Sequence, residues 1–362
     1  MEHFDLDAAV RAGVIRSDQA DALRRFDETE RNAPAATEER FRLFSGFADI
    51  MAAIGIGMVA WAGIVLAVLV PFLGFTLLAA YWLAARYFTE QRRMMLTSFV
   101  LFGAFALTAA MASLAVVATL LGKSPLQMTK DDVFTIWSVL IASSTAGACW
   151  VYWRRFQFPA AYAAFAVAVI NILVSLLRGL FPGMPSMGVD VVAALMGPIL
   201  FVWAMWWDIS DVRRETIRSD VGFWLHICAG FAIVHSFMVL LLDTKDGSTG
   251  WWRMFSDPAA PTATDAFAVL AMFGVFAVVA LIVDRRSLLT SGMFYAVPAL
   301  AVLIGGGALM LAPALLVTGV SLILLSVKWL PWREKLLARL PHQISAQMPR
   351  PQLKAFGPRP VY

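Results

Sequence analysis

Five side chains within the long apolar stretches of this 362-residue chain have types that could do chemistry: His226, His235, Asn171, Cys149 and Cys228. The two histidines are nine residues apart. At about 3.6 residues per turn that spacing points them to opposite faces of a helix, so they cannot hold one metal ion or one haem iron together. With Val221 as the inner boundary of their segment, a rise of about 1.5 Å per residue puts His226 about 7 Å deep and His235 about 21 Å deep. No other long apolar segment contains a histidine, so bis-histidine haem is open only to a dimer, and no metal or cofactor is expected. Two uses remain for the imidazoles: a neutral ring bonded to a backbone carbonyl or a Ser/Thr hydroxyl of a neighbouring helix, or, with Asn171, a polar site within the membrane. Asn171 is expected to bond across helices, and the two thiols to pack as small hydrophobes without a disulfide.

The remaining candidates lie at the ends of apolar segments. Asp49, Asp190, Asp208, Asp284 and Arg178 are expected where water or headgroups reach them. Arg178 and Asp190 flank Phe181-Pro182-Gly183-Met184-Pro185 and form a candidate outer mouth. Arg218, Asp220 and Trp224 form a candidate inner-leaflet site, with Asp220 placed to cap a helix and Arg218 in reach of lipid phosphate or of Asp220. The chain has no His-Glu-x-x-His, Gly-x-Ser-x-Gly, P-loop or dinucleotide fingerprint. With its carboxylates at segment ends, it is not expected to be an enzyme, and ion-coupled transport is disfavoured for the same reason.

The elements that must carry these residues follow from composition. The chain is 60% hydrophobic and 15% charged, with a mean hydropathy of +0.73. Soluble domains run at about 45–50% apolar and about 25% charged, so a soluble enzyme, a disordered chain and a disulfide scaffold are all excluded. Crossing a bilayer takes about 20 apolar residues. Ten segments meet that need: Met51–Leu69, Phe72–Phe88, Leu96–Leu121, Val133–Trp153, Ala160–Leu177, Val189–Trp207, Val221–Leu242, Ala266–Val283, Thr290–Ile304 and Ala308–Val327. The fold class is therefore an all-α polytopic integral membrane protein of about ten transmembrane helices, occupying residues 47–329. With both termini cytoplasmic, 24 of the 29 Lys and Arg residues fall inside and five outside, and the bias recurs at every inner loop.

Residues 1–46 read as a cytoplasmic helical hairpin. One helix runs over Asp5–Ala12 to a stop at Gly13, and a second follows Ser17 to about Glu30. Residues 330–362 read as a basic, Pro-containing, largely unstructured cytoplasmic tail. Membrane lipids are the expected partners, and a protein could dock on the hairpin or on the outer 243–265 loop with its Trp251-Trp252-Arg253-Met254-Phe255 cluster. Nucleic-acid binding is not expected, and the oligomeric state is open. Most tryptophans, among them Trp82, Trp150, Trp153, Trp206, Trp207, Trp329 and Trp332, are placed as interfacial anchors.

At Leu6-Asp7-Ala8-Ala9-Val10-Arg11-Ala12-Gly13-Val14-Ile15, Asp18-Gln19-Ala20, Arg218 to His226 and Val234-His235, the chain resembles uncharacterised bacterial multi-pass membrane proteins of the domain of unknown function 2157 class or a near relative. The resemblance covers about a fifth of the sequence. It implies a bacterial cytoplasmic (inner) membrane and brings no activity or catalytic residues. Two functions fit the pattern: a transporter-like permease for a small organic or amphipathic solute, or a non-catalytic membrane scaffold or accessory subunit. A continuous polar cavity would mark the first and a sealed apolar core the second.

Overall fold

The computed structural model describes residues 12–14, 16–20, 46–70, 73–124, 127, 137–181, 186–211, 214, 216–242, 263–306 and 308–341, and every element among them is helical. Residues 1–41 and 349–362 form a unit of their own. Of it, the structure describes a left-handed Gly13 (φ 70°) and a helical turn at 17–20 whose start is held by Gln19 Oε1 accepting the Arg16 N–H. The helix expected to stop at Gly13 lies outside the described residues, and the cap of the turn at 17–20 is Arg16 with Gln19 instead of Ser17. The rest of the hairpin, and residues 342–362, lie outside the described residues.

Arg42–Met348 form the second unit. Its helices are α1 (Phe47–Leu69), α2 (Leu73–Ala85), α3 (Met95–Leu120), α4 (Trp137–Phe156), α5 (Pro159–Leu180), α6 (Ser186–Ile209), α7 (Ile217–Leu242), α8 (Ala263–Val283), α9 (Ser287–Ile304), α10 (Leu311–Val327) and α11 (Trp329–Leu337). The first ten follow the ten expected segments in order. Helix α1 ends at Leu69, before an extended Val70 (φ −128°, ψ 90°), the geometry favoured in a residue that precedes proline in the sequence. Gly305 and Gly306 (φ 149° and 73°) end α9. Pro159, in the first turn of α5, uses a position with no intrahelical N–H to lose.

Among the described residues six helices, α1, α3, α5, α7, α8 and α9, are long and apolar enough to cross a membrane. The α10–α11 pair, bent by 67°, would be a seventh if it forms one span. Fewer helices qualify than the sequence suggested, for local reasons. Helix α2 has 13 residues before it passes into a π-helical turn, Arg86–Gln91. Helix α4 carries Ser138, Ser143, Ser144, Thr145, Arg154 and Arg155 in its 20 residues. Ahead of α4, Thr129 and Asp132 have the sequence spacing of a capping box for the start of that segment, but they lie outside the described residues.

Helix α7 packs on α5, α6, α8 and α9 and is the hub of the second half of the unit. In the first half, α3 packs on α1, α2 and α4. There the core is aromatic: the Tyr152 ring, fully buried, has Phe156, Phe102, Phe105 and Trp82 around it at centroid distances of 4.6, 5.2, 5.3 and 6.2 Å. Trp82, Trp153 and Trp329 pack in or against the core instead of anchoring at an interface, because the helices bring them onto inward faces. The expected unstructured tail is likewise corrected at its start: α11 is a helix with Trp329 and Arg333 buried.

One end of the bundle gathers the short turns around Arg93, Gln157, Arg214 and Asp284, all left-handed non-glycine residues (φ 50–59°). Three links tie these turns together. Asp49 reaches the start of α3, Glu90 pairs with Arg155, and Arg285 reaches Asp208 and Ser219. This arginine-rich end is the one expected to face the cytoplasm.

Candidate functional site

The sequence placed Asp49, Asp208 and Asp284 in contact with water. The structure buries all three, at 0%, 3% and 6% exposure, together with Arg285 at 2% and His226 at 0%. Each carboxylate is at a helix end in the chain, but neighbouring helices overhang it, and sequence position along one helix carries no record of that cover.

Asp208, in the last turn of α6, is the centre of a buried cluster. Arg285, from the turn between α8 and α9, donates to it in a bidentate fork, Nε to Oδ2 at 2.9 Å and Nη2 to Oδ1 at 2.5 Å. The same Nη2 donates to the Ser219 carbonyl at 3.1 Å, and His226 Nε2 lies 2.9 Å from Asp208 Oδ2. Planar guanidinium and planar carboxylate match in this geometry, which is the strongest form of side-chain ion pairing. Gly222 makes room for it: a Cβ at that position would collide with Asp208 Oδ1 and stand 3.6 Å from Arg285 Nη2. The imidazole is edge-on to Phe201, with centroids 5.3 Å apart, and its Nδ1 is buried without a hydrogen-bonding partner among the described residues. An acidic, a cationic and a titratable group thus share one water-poor point on three chain segments. Such a site can hold or exchange a charged or hydrogen-bonding guest, or a proton, by rearranging one pair.

A second cluster sits beside it on Asp284. Trp329 Nε1 donates to Asp284 Oδ1 at 2.8 Å, and Arg214 Nη1 approaches Oδ2 at 3.4 Å. Arg333 Nε lies 3.7 Å from Oδ1 and donates to the Leu281 carbonyl at 3.1 Å. Arg214 Nη2 also donates to the carbonyl of Asp284 itself at 2.9 Å. Asp211 holds the start of α7 by accepting the Thr216 N–H (2.9 Å) and hydroxyl (2.7 Å).

The candidate residues from the sequence do not converge. Of His226, His235 and Asn171, only His226 joins a buried polar site, and its partner is Asp208 instead of a carbonyl or hydroxyl. His235 is exposed and 3.4 Å from the Tyr295 hydroxyl. Asn171 is exposed and donates to the Val167 carbonyl of its own helix at 3.0 Å, and among the described residues it has no bond across helices. Helix α7 begins at Ile217, one turn before Asp220, so Asp220 is a first-turn residue and not its cap. Arg218 is exposed and donates its N–H to Thr216 Oγ1, whereas Trp224 stacks on Phe99 with centroids 5.1 Å apart. These three do not form one site. Arg178 is half-buried at the end of α5; the Asp190 side chain, Pro182–Pro185 and residues 243–262 of the outer loop lie outside the described residues. Cys149 and Cys228 are free thiols, and among the described residues no three His, Cys, Asp or Glu side chains gather as a metal site would need.

Asp208, Arg285 and Asp284 are the residues that sequence reasoning missed as a site. Arg285 and Arg286 read as ordinary positive-inside residues, and a partner 77 positions away leaves no local signal. One trace was available: Gly222 falls on the same face of α7 as His226, where a small residue permits close approach. No protein-family model, curated protein or solved structure matches the chain, so the buried Asp208–Arg285–His226 cluster has to be read from its own chemistry.

Proposed function

We propose that this chain is a permease-like protein of the bacterial cytoplasmic membrane, with ten spans and both ends inside, that handles a small organic or amphipathic solute at the Asp208–Arg285–His226 cluster. One observation carries the reading: a bidentate ion pair with an attached imidazole, nearly fully buried, at the junction of α6, α7 and the α8–α9 turn. A buried ion pair usually stabilises no better than apolar residues of the same shape, so stability alone is a weak reason for having one. Ionisable groups inside membrane bundles mark solute, ion or proton pathways. The same cluster removes the objection that every carboxylate of the chain is at the surface. A catalytic role is not part of the proposal, and the likeness to uncharacterised bacterial membrane proteins supports the location and nothing more.

The rival reading, a scaffold or accessory subunit, is favoured by α10. Its Leu315, Leu316, Val317, Val320, Ile323 and Leu324 are all exposed, and only Ala314 and Thr318 are buried. Lipid or a partner helix would cover that face equally well.

Native mass spectrometry of the full chain in a mild detergent separates the two. A lone chain or dimer retaining a defined small molecule, and losing it in D208N, is the expected result. A second protein co-purifying at fixed stoichiometry, with no retained small molecule, overturns the permease reading.

A further inference from the structure

We infer that the C-terminal helix α11 is a positioning element for Arg285: through Asp284 it holds the Asp208–Arg285–His226 cluster closed. The meaning of the inference rests on reading that cluster as the working site, but its test does not.

The backbone after α8 supplies the first argument. The Arg285 N–H donates to the Ala280 carbonyl at 2.9 Å across a left-handed Asp284 (φ 59°), the arrangement that ends a helix and reverses the chain. Elsewhere in this protein the same reversal uses glycine: Gly122 (φ 67°) after α3, where the Lys123 N–H donates to the Ala118 carbonyl at 2.8 Å. A residue with a Cβ is unfavourable in that conformation and persists where its surroundings fix it. Asp284 is held through its carbonyl, which accepts from Arg214 Nη2 at 2.9 Å, and through its side chain, whose partners among the described residues are Arg214 and, on α11, Trp329 and Arg333. Arg214 is itself left-handed (φ 52°), so two unfavourable residues are locked to one another.

Adjacency supplies the second argument. Asp284 and Arg285 are consecutive, so the turn that faces α11 with one residue faces Asp208 with the next. Arg286, the following residue, lies over the Trp329 ring with its guanidinium carbon 5.1 Å from the centroid. The Trp329–Asp284 hydrogen bond and the Arg285–Asp208–His226 contacts are therefore joined through one peptide bond, between Asp284 and Arg285. If α11 lifts, Asp284 loses two of the three side chains that hold it, the turn loosens, and Arg285 leaves the Asp208 carboxylate. The helix begins at Trp329, two residues after Val327, beyond a 67° bend, so it is a separate element from α10.

The test uses the full chain in lipid nanodiscs and needs no solute. Diethyl pyrocarbonate modification of His226 is followed by peptide mass spectrometry, with N-ethylmaleimide labelling of buried Cys149 in the other half as the check on general unfolding. In W329F, which keeps an aromatic but smaller side chain and removes the indole N–H donor, His226 labelling rises by about tenfold, the effect of one charge-assisted hydrogen bond on a local opening equilibrium, while Cys149 stays unreactive. D284N, which keeps an acceptor for Trp329 but removes the charge facing Arg214 and Arg333, gives a smaller rise. W332F, on the exposed side of the same helix, leaves both labels unchanged. If His226 in W329F and D284N is as slow as in the wild type, or rises only in step with Cys149, the inference is overturned.

Discussion

Asp49 and Asp208 are both buried aspartates at the arginine-rich end, and the two halves of the bundle satisfy them in opposite ways. Asp49, on α1, accepts the Thr97 N–H at 2.9 Å, the Thr97 hydroxyl at 2.7 Å and the Leu96 N–H at 3.3 Å, so that one helix caps the positive N-terminus of another. These described donors, two backbone N–H groups and a neutral hydroxyl, are fixed in place by α3. Asp208 accepts instead from a guanidinium on a turn and from an imidazole. Those groups carry or can take up charge, and the turn that brings one of them is held from outside by α11. The first arrangement is architecture. The groups around Asp208 can change charge or position, and the site proposed above uses that difference.

The contrast breaks most visibly if the Asp208 pair is cut from one side. Removing one partner leaves the other buried and uncompensated, so R285Q is expected to cost about 3–5 kcal/mol of unfolding free energy in mixed detergent micelles. A loss under about 1 kcal/mol would put Arg285 in water and erase the difference between the halves. Next in size is G222A, whose methyl group enters the space of Asp208 Oδ1 and is expected to cost about 1–3 kcal/mol. Its counterpart G55A meets nothing within 4 Å and is expected to stay within about 0.5 kcal/mol of the wild type in the same assay. Equal effects at the two glycines would contradict the packing around Asp208.

Removing the Thr97 hydroxyl sharpens the other side of the comparison. T97A keeps the Asp49 carboxylate on the α3 N–H groups and is expected to cost about 1 kcal/mol, with no change in the labelling of His226. The smallest effect belongs to the exposed Glu90–Arg155 pair, 2.8 Å apart with side chains 45% and 42% exposed. E90Q is expected to shift stability by less than about 0.5 kcal/mol and to lose even that in high salt, as a melting series at two ionic strengths would register.

The fold was largely legible because apolar length is a local property. The order of the helices, the end of the first at Leu69 and the break at Gly305-Gly306 all follow from residues within a turn of the event. The aromatic half was less so: Trp82 and Trp153 near segment ends read as interface anchors, and only packing against Tyr152 and Tyr162 shows them facing inward. The candidate site was legible at one residue in three. His226 stood out as an ionisable group inside an apolar segment, whereas Asp208 and Arg285 lie at the ends of theirs and meet across 77 positions. Hydropathy assigns such residues to water, and nothing in one sequence records which helices overhang them. Trp329 and Arg333 were hidden for the same reason, inside a stretch whose charge and prolines describe its far end better than its beginning.

The central claim is that Asp208 and Arg285 act as one buried ionic unit, and a double-mutant cycle between D208N and R285Q tests it most directly. Measured as unfolding free energy in mixed micelles, the account predicts a coupling of at least about 2 kcal/mol, with the double variant more stable than the sum of the single losses allows. Additivity within about 0.5 kcal/mol would mean that the two residues do not share a buried pair, and the site argued for here would not exist.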